Sequence, residues 1–160
     1  GARTIAMIGG DPRGVSAGIR FQAYRDWLGP NFDPDLFEPG DYGTGSGNVA
    51  FGRLLDRRPG IDALFCASDR MAIGALETAY RRGRHVPGDL LVMGFDDHQI
   101  AAQADPPLST IHQPIREIGR TAASTLLAAM AGETPSDKIF PTQLVVRGST
   151  WPQSTPTDSH

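Results

Sequence analysis

Ile61-Asp62-Ala63-Leu64-Phe65-Cys66-Ala67 is a short apolar run that predicts a buried β-strand. Residues 69–82 follow it with apolar side chains at helical spacing, and Leu90-Leu91-Val92-Met93-Gly94-Phe95 is a second apolar run. A strand, a helix and a further strand in this order are typical of parallel strands joined by a crossover helix. The stretch therefore predicts an α/β fold with an open parallel sheet and flanking helices.

The same alternation extends toward the N-terminus. Residues 4–8 and 35–38 predict strands, and residues 16–28 and 46–56 predict helices, the second of which follows a glycine-rich loop at residues 41–47. Ser16 is expected to cap the first of these helices. The helical residues expected to face the core are Ile19, Ala23, Trp27, Val49, Leu54, Leu55, Ala72, Ile73, Leu76, Ala79 and Tyr80.

The pattern changes after Asp97. Residues 99–104 predict a short helix, and residues 109–112 and 139–147 predict extended segments. Between these two segments, a long apolar stripe begins near Pro114 and ends at Gly132, which predicts a helix. This part of the chain does not continue the strand–helix alternation.

The composition excludes several function classes. The chain has 160 residues, 39% of them hydrophobic, which is enough for a core, and its formal charge is −3. An acidic surface is a poor match for DNA or an anionic membrane. The single cysteine excludes an intrachain disulfide framework and a cysteine-based zinc site, and no apolar run is long enough to span a membrane. Because Gly1 lies directly before a strand, we expect the chain to be part of something longer.

Polar side chains follow each predicted strand. The carboxyl ends of parallel strands meet at one edge of a sheet, where open α/β folds bind ligands. This edge is expected to gather residues 11–16, Asp41-Tyr42, Ser68-Asp69 and Asp96-Asp97-His98, together with Arg20 from the first helix. Carboxylates, an arginine and an aromatic ring suit a neutral, polyhydroxylated ligand.

Each of these residues also has a purely structural explanation. Asp69 and Ser68 are equally explained as helix caps or first-turn residues. One of the adjacent acids Asp96 and Asp97 is expected to be structural, because neighbouring extended residues point apart. Tyr42 could simply cover a loop, and Arg20 could be a solvated surface charge.

Enzyme motifs are mostly absent. The loop Gly43-Thr44-Gly45-Ser46-Gly47-Asn48 lacks the lysine of a phosphate-binding loop and the spacing of a dinucleotide fingerprint. Ser46 does not have the flanking glycines of a nucleophile elbow. The histidines show no metal-ligand spacing, so neither a metal nor a cofactor is expected.

Five stretches of sequence are more specific when taken in order. They are Ile5-Ala6-Met7-Ile8-Gly9-Gly10, Arg20-Phe21-Gln22-Ala23-Tyr24, Cys66-Ala67-Ser68-Asp69-Arg70-Met71-Ala72-Ile73-Gly74-Ala75, Val86-Pro87-Gly88-Asp89-Leu90-Leu91-Val92-Met93-Gly94-Phe95-Asp96-Asp97 and Pro107-Leu108-Ser109-Thr110-Ile111-His112-Gln113-Pro114. Leu144-Val145-Val146-Arg147-Gly148-Ser149-Thr150 closes the series. Together they resemble the lactose/galactose-repressor (LacI/GalR) family of bacterial transcription regulators, over nearly the whole chain up to Thr150.

The resemblance implies a domain organisation. The family has a DNA-binding helix-turn-helix, a hinge helix and a two-lobed core with a periplasmic-binding-protein-like (type I) fold, and effectors bind between the lobes. By this resemblance, residues 1–108 are the C-terminal lobe, incomplete at its start, and residues 109–135 return into the N-terminal lobe. Residues 136–150 cross back to the C-terminal lobe, and residues 151–160 are a disordered tail.

The resemblance also implies the residues of an effector site. Arg20 matches the arginine of an arginine-x-x-glycine-aromatic motif, although Ala23 replaces the glycine. Asp96 matches the aspartate that follows glycine-aromatic, and Tyr42 matches a stacking aromatic. The implied effector contacts are Ser16, Arg20, Tyr42, Ser68, Asp69 and Asp96.

The function implied is that of a cytoplasmic, non-enzymatic sensor. It would bind a sugar or sugar derivative, form a homodimer, and reach operator DNA only through a helix-turn-helix outside this chain, with no membrane partner. The implied dimer contacts are Ile73, Ile100 and Ala104, although core packing explains Ile73 equally well. The alternatives are a periplasmic sugar-binding protein of a transport system and a doubly wound enzyme that uses Asp96-Asp97-His98.

Overall fold

The computed structural model describes residues 1–151, and its main element is a parallel sheet of four strands. These are β1 (Ile5–Ile8), β2 (Phe37–Glu38), β3 (Ala63–Cys66) and β4 (Leu91–Met93), in the order β2-β1-β3-β4. Ile5 pairs with Ala63, which in turn pairs with Leu91, so the three longer strands run in register. The predicted α/β fold with an open parallel sheet is confirmed. The predicted tail, apart from Trp151, lies outside the described residues.

Helices connect the strands. They are α1 (Val15–Leu28), α2 (Thr44–Arg57), α3 (Asp69–Arg81), the short α4 (Gln99–Gln103) and α5 (Ile115–Met130). Two single turns of 3₁₀ helix, at Gly29–Asn31 and Pro34–Leu36, lie between α1 and β2. The remaining strands, β5 (Thr110–His112) and β6 (Gln143–Val145), pair antiparallel as a separate two-stranded sheet. The change of pattern after Asp97 is therefore a real change of architecture.

One core holds the four-stranded sheet and its helices together. Helices α2 and α3 pack closely on each other and on the strands. The largest fully buried side chains come from both strands and helices, and include Met7, Ile8, Phe51, Leu54, Leu64, Met71 and Val92. In β3 and β4, fully buried residues alternate with half-buried ones, Ala63, Phe65, Leu91 and Met93. Because alternate strand residues face opposite sides, one side of the sheet is only partly covered by the described residues.

The inward face of α1 differs from the prediction. Ile19 and Trp27 are 65% and 73% exposed, and Ala23 is exposed as well. The helix instead turns Phe21 and Tyr24 toward the sheet. Helix α1 carries two apolar stripes, and the aromatic one faces inward. The ring centroids of Phe21 and Phe37 lie 4.4 Å apart with the rings tilted by 51°, and the Tyr24 hydroxyl donates to the Ile5 carbonyl at 2.8 Å.

Further differences concern helix ends and two outward side chains. Helix α1 begins one residue before Ser16, with Gly14 at its N-cap, so Ser16 does not cap it. Helix α2 begins at Thr44, and much of the predicted glycine-rich loop is therefore helical. Tyr80 is 85% exposed and Val49 55% exposed, because both lie beside the buried stripes of their helices rather than on them.

Candidate functional site

A cavity of about 540 Å³ opens at the carboxyl ends of β1–β4, where the sequence predicts a site. Five of the six predicted contact residues line it: Ser16, Arg20, Tyr42, Ser68 and Asp96. Asp11, Asp41 and His98, which were expected at this edge of the sheet, line it as well. The strand ends and the helix starts together bring both charges, hydroxyl groups and an aromatic ring to one place.

Arg20 is held by aromatic stacking. Its guanidinium carbon lies 4.0 Å from the centroid of the Phe95 ring, a cation–π contact. Among residues 1–151, none of the side-chain hydrogen bonds or ion pairs involves this guanidinium. Its five N–H groups are therefore free to donate to a ligand while the ring fixes the plane of the group.

Tyr42 forms one wall of the cavity. Its φ is 69°, so the loop after β2 turns sharply there, and a Cβ at Gly10 would overlap the tyrosine ring. The tyrosine hydroxyl is buried and has no hydrogen-bond partner among the described residues. This arrangement leaves the ring beside the cavity, where it can stack on the apolar face of a ligand.

Ser68 and Asp69 have separate structural tasks at the start of α3. The Ser68 hydroxyl caps the helix by accepting from the Met71 amide at 3.2 Å, and it donates to the Tyr42 carbonyl at 3.2 Å. Asp69 is fully buried and does not line the cavity. Its carboxylate accepts from the Thr110 hydroxyl at 2.5 Å and from the His98 amide at 2.7 Å.

The electrostatics of Asp69 match this buried position. Burial raises the pKa of the Asp69 carboxyl, although the hydrogen bonds from Thr110 and His98 oppose that rise. The carboxylate ties the start of α3 to β5 and to the loop after β4, which is a structural task. Because Asp69 lies outside the cavity lining, its predicted effector contact stays a prediction.

Asp96 and Asp97 point to different partners. Asp96 lines the cavity and accepts from the Gln113 side-chain amide at 2.6 Å. Burial raises the pKa of the Asp96 carboxyl, while Gln113, His98 and Arg20 act to lower it. Asp97 lies outside the cavity lining, and its carboxylate contacts His112 Nδ1 at 2.9 Å and Arg147 at 2.7 Å.

The same pair has an unusual backbone. The φ angles of Asp96 and Asp97 are 115° and 58°, in the region that favours glycine. Such conformations cost roughly 1–3 kcal/mol each and persist only where the surroundings impose them. For Asp97, burial raises the pKa of its carboxyl, but hydrogen bonds from Arg147 and His112 outweigh that effect and the net pKa is lowered. The carboxylate is therefore the form that these contacts stabilise.

Two residues near the cavity were missed by the sequence analysis. Arg70 lines the cavity from the first turn of α3, and Gln113 contacts Asp96. Extending the strand-end rule by one residue past Asp69 would have found Arg70. Gln113 follows β5, which lies outside the four-stranded sheet, so no strand-end argument points to it.

The predicted dimer contacts lie around a second depression. A groove of about 370 Å³ between α3 and the segment after α4 is lined by Ile73 and Ala104, with Leu76, Glu77, Tyr80, Arg81 and Asp105. Ile100, the third predicted contact, lies on α4 and is 38% exposed, and Ala104 follows directly after that helix. Its lining is mostly apolar and includes residues of both charges.

Within residues 1–151, no helix combines the length and the apolar character that a membrane crossing requires. No group of three or more histidine, cysteine or acidic residues in that part of the chain is placed to hold a metal ion.

Comparison with known proteins places the chain in a family. Residues 1–150 match the family described as periplasmic binding protein-like domain. The chain is 41% identical over 155 residues to the HTH-type transcriptional regulator CelR of Thermobifida fusca, covering 93% of this chain and 45% of that protein. The chain belongs to this family, in its LacI/GalR branch. The LacI/GalR resemblance predicted from the sequence is thereby confirmed.

Other LacI/GalR proteins are similar over the same region. The chain is 39% identical over 155 residues to the transcriptional repressor CytR of Escherichia coli (strain K12), which covers 94% of this chain and 46% of that repressor. The structure of a CelR–cellobiose complex superposes with a TM-score of 0.89 at 40% identity, covering 93% of this chain and 47% of that one. A dimeric Lac repressor superposes with a TM-score of 0.87 at 31% identity, covering 94% and 56%.

These comparisons bear on the alternatives. The chain spans about half the length of the curated relatives it matches. Those relatives are transcriptional regulators, not enzymes or transport proteins, so the chain is a ligand-binding domain of the regulator type. The transport alternative and the enzyme alternative receive no support from them.

Proposed function

We propose that the chain is the sugar-sensing C-terminal lobe of a cytoplasmic, dimeric LacI/GalR regulator. A carbohydrate binds in the cavity against Arg20, Tyr42, Ser68, Ser16 and Asp96, and lobe closure around it changes how two DNA-binding heads are spaced. One observation carries the proposal: the Arg20 guanidinium, which is stacked on Phe95 and unpaired among the described residues, lines a cavity of about 540 Å³ together with Asp96.

The chemistry of this wall favours a polyhydroxylated ligand. An arginine and a carboxylate can each bind two neighbouring hydroxyl groups, and an aromatic ring stacks on the apolar face of a sugar. The wall carries three acids, Asp11, Asp41 and Asp96, and two arginines, Arg20 and Arg70, so both charges are present. A neutral ligand fits such a balance better than a strongly charged one. The CelR structure contains cellobiose, which supports a sugar of this size class for the present chain.

The division into lobes is part of the proposal. Residues 1–108 form the C-terminal lobe, residues 109–135 belong to the N-terminal lobe, and residues 136–150 cross back. Helix α5 supports this division, because it has no buried residue. Its large exposed apolar side chains are Ile115, Leu126, Leu127 and Met130. A helix with such a face is stable in water when another surface covers it, and the N-terminal lobe would supply that surface.

The proposal is tested by ligand binding to the full-length protein, meaning this chain together with the segments that the proposal adds. Calorimetric titration with cellobiose, maltose and glucose is expected to show saturable binding of at least one sugar, and thermal unfolding should shift upward with that sugar. Cytidine and adenine serve as comparison ligands of another chemical class. Binding of a nucleoside or nucleobase with no response to any sugar would contradict the carbohydrate assignment while leaving the effector site in place.

The proposed homodimer uses the groove between α3 and the segment after α4. A second copy fits this surface, because its lining combines apolar side chains with Glu77, Arg81 and Asp105, which offer both charges to a two-fold-related partner. Tyr80, 85% exposed on the groove, is the residue best placed to anchor a partner. The likeness to a dimeric Lac repressor supports a dimer for the full-length protein.

Tyr80→Asp is expected to raise the dimer dissociation constant of the full-length protein by at least about a hundredfold, because it places a charge at an apolar contact. Sedimentation velocity over a concentration series measures the change. Trp27→Asp is the matched control, since Trp27 is a 73% exposed aromatic residue on α1, away from the groove, and should leave the dimer intact. A Tyr80→Asp protein that dimerises like the wild type would contradict the interface.

A further inference from the structure

Asp97 bridges the two strands that carry the chain between the proposed lobes. Its carboxylate contacts His112 Nδ1 at 2.9 Å, at the end of β5, and Arg147 at 2.7 Å, just beyond β6. Arg147 also donates to the Leu108 carbonyl at 2.9 Å. We call Asp97, His112 and Arg147 the Asp97 bridge. The Asp97 and Arg147 side chains are only 18% and 21% exposed, so solvent screens this ion pair weakly.

The bridge is directly joined to the cavity residue Asp96. Both acids have positive φ, at 115° and 58°, and the Asp96 amide donates to the Ile111 carbonyl of β5 at 3.0 Å. Reversing the side-chain direction between two adjacent residues separates their tasks: Asp96 faces the cavity and Asp97 faces the crossover strands. The contacts of the Asp97 side chain therefore help to hold the backbone that directs Asp96 into the cavity.

We propose that Asp97 is a positioning residue for the effector site. Resting on the proposed sugar-binding function, the inference is that the Asp97 bridge keeps the 96–97 backbone in its left-handed conformation and so keeps the Asp96 carboxylate in the cavity. The same contacts fix β5 and β6 to the effector site. The strands that cross between the lobes and the Asp96 carboxylate are therefore positioned by the same hydrogen bonds. Asp97 itself does not touch the ligand.

The geometry makes specific demands on residue 97. The residue must tolerate positive φ, and it must offer acceptor atoms to two partners. Asparagine meets most of this requirement, since it tolerates positive φ and retains one carbonyl oxygen. Alanine meets neither requirement.

Hydrogen exchange on the ligand-free, full-length protein tests the backbone part of the proposal. In Asp97→Ala, the amide of Asp96 is expected to exchange at least about tenfold faster than in the wild type, and in Asp97→Asn less than about threefold faster. Ser149→Ala is the matched control in the same junction. The Ser149 hydroxyl accepts from the Ser109 amide at 2.8 Å and donates to the Val92 carbonyl at 2.6 Å, without contacting residues 96–97. That variant should leave the exchange of the Asp96 amide unchanged.

Calorimetry with the sugar identified by the panel tests the effect on the site. We expect Asp97→Ala to lower affinity at least about tenfold, Asp97→Asn to remain within about threefold, and Ser149→Ala to bind like the wild type. If Asp97→Ala does not fold, His112→Ala takes its place, because it removes one partner of the bridge. Its loss of affinity should be larger than that of Asp97→Asn and smaller than about tenfold. Wild-type affinity in both Asp97→Ala and His112→Ala would overturn the proposal. A loss of affinity in Ser149→Ala equal to that in Asp97→Ala would overturn it as well.

The two hypotheses fail in different ways. If the wild-type protein binds none of the sugars, the proposed function fails, and hydrogen exchange alone decides the role of Asp97. Faster exchange of the Asp96 amide in Asp97→Ala, with near-normal exchange in Asp97→Asn, would still support the bridge. Unchanged exchange in Asp97→Ala would overturn it, whatever the ligand.

Discussion

Arg20→Ala is expected to lower the affinity of the full-length protein for its sugar by at least about a hundredfold, with little change in thermal stability. The guanidinium stacks at 4.0 Å on the Phe95 ring and lines the cavity, and its N–H groups have no hydrogen-bond partner within residues 1–151. Two or more charge-assisted hydrogen bonds to sugar hydroxyls would be lost at once, and each contributes about 1.5–3 kcal/mol. Calorimetric titration of the wild type and the variant with the same sugar measures the loss.

Arg25→Ala is the matched control for this experiment. Arg25 lies on the same helix, and its one side-chain hydrogen bond within residues 1–151 is donated to Gln22 at the surface, at 3.0 Å. Its removal should leave affinity unchanged and stability within about 0.5 kcal/mol of the wild type. An Arg20→Ala protein that retains wild-type affinity would exclude Arg20 as an effector contact. Equal losses in both variants would point to a general effect of charge and not to a specific contact.

The sequence was sufficient to predict the longer strands of the sheet, because each of them is an apolar run between breakers. Residues 61–67 and 90–95 have this form, and the structure places β3 and β4 inside them. The inward face of α1 was not predictable in the same way. That helix has two apolar stripes, and only the aromatic partners Phe32 and Phe37, which follow it in the chain, decide that Phe21 and Tyr24 face inward.

The candidate site was predictable to the extent that strand ends define it. Ser16, Arg20, Tyr42, Ser68 and Asp96 all line the cavity, as the strand-end argument and the resemblance predicted. The role of the individual acids depends on residues distant in sequence. Asp69 is turned away from the cavity by Thr110, and Asp97 by Arg147, which lie 41 and 50 positions further along the chain. No local spacing encodes contacts of that range.

Close packing of α2 on α3 leads to the second large expected effect, on stability. Gly74 of α3 faces the backbone of α2: a Cβ there would overlap the Thr44 carbonyl and lie 2.8 Å from the Asn48 nitrogen. A Cβ at Gly47, facing the opposite way from α2, would lie 2.6 Å from the Met71 Cα. The obstructing atoms belong to helix backbone and cannot move alone, so the two helices would have to separate.

Gly74→Ala is therefore expected to lower the free energy of unfolding by about 3 kcal/mol, although alanine is the better helix former. Thermal and denaturant unfolding of the full-length protein, followed by circular dichroism, measure the loss. Gly52→Ala on α2 is the matched control, because nothing lies within 4 Å of the position its Cβ would take. There the gain in helix propensity is unopposed, and stability should rise by about 0.5–1 kcal/mol.

The double variant Gly47→Ala/Gly74→Ala tests whether both losses come from the close approach of α2 and α3. The alternative is that each added methyl group causes its own independent strain. If both glycines allow the same close approach of α2 and α3, separating the helices for one added methyl group also makes room for the other. The combined loss should then be clearly smaller than the sum of the single losses, with a coupling of about 1 kcal/mol or more. Strict additivity would contradict a shared contact. Wild-type stability of Gly74→Ala would contradict the close approach itself, because a methyl group without strain at that position requires helices that lie further apart.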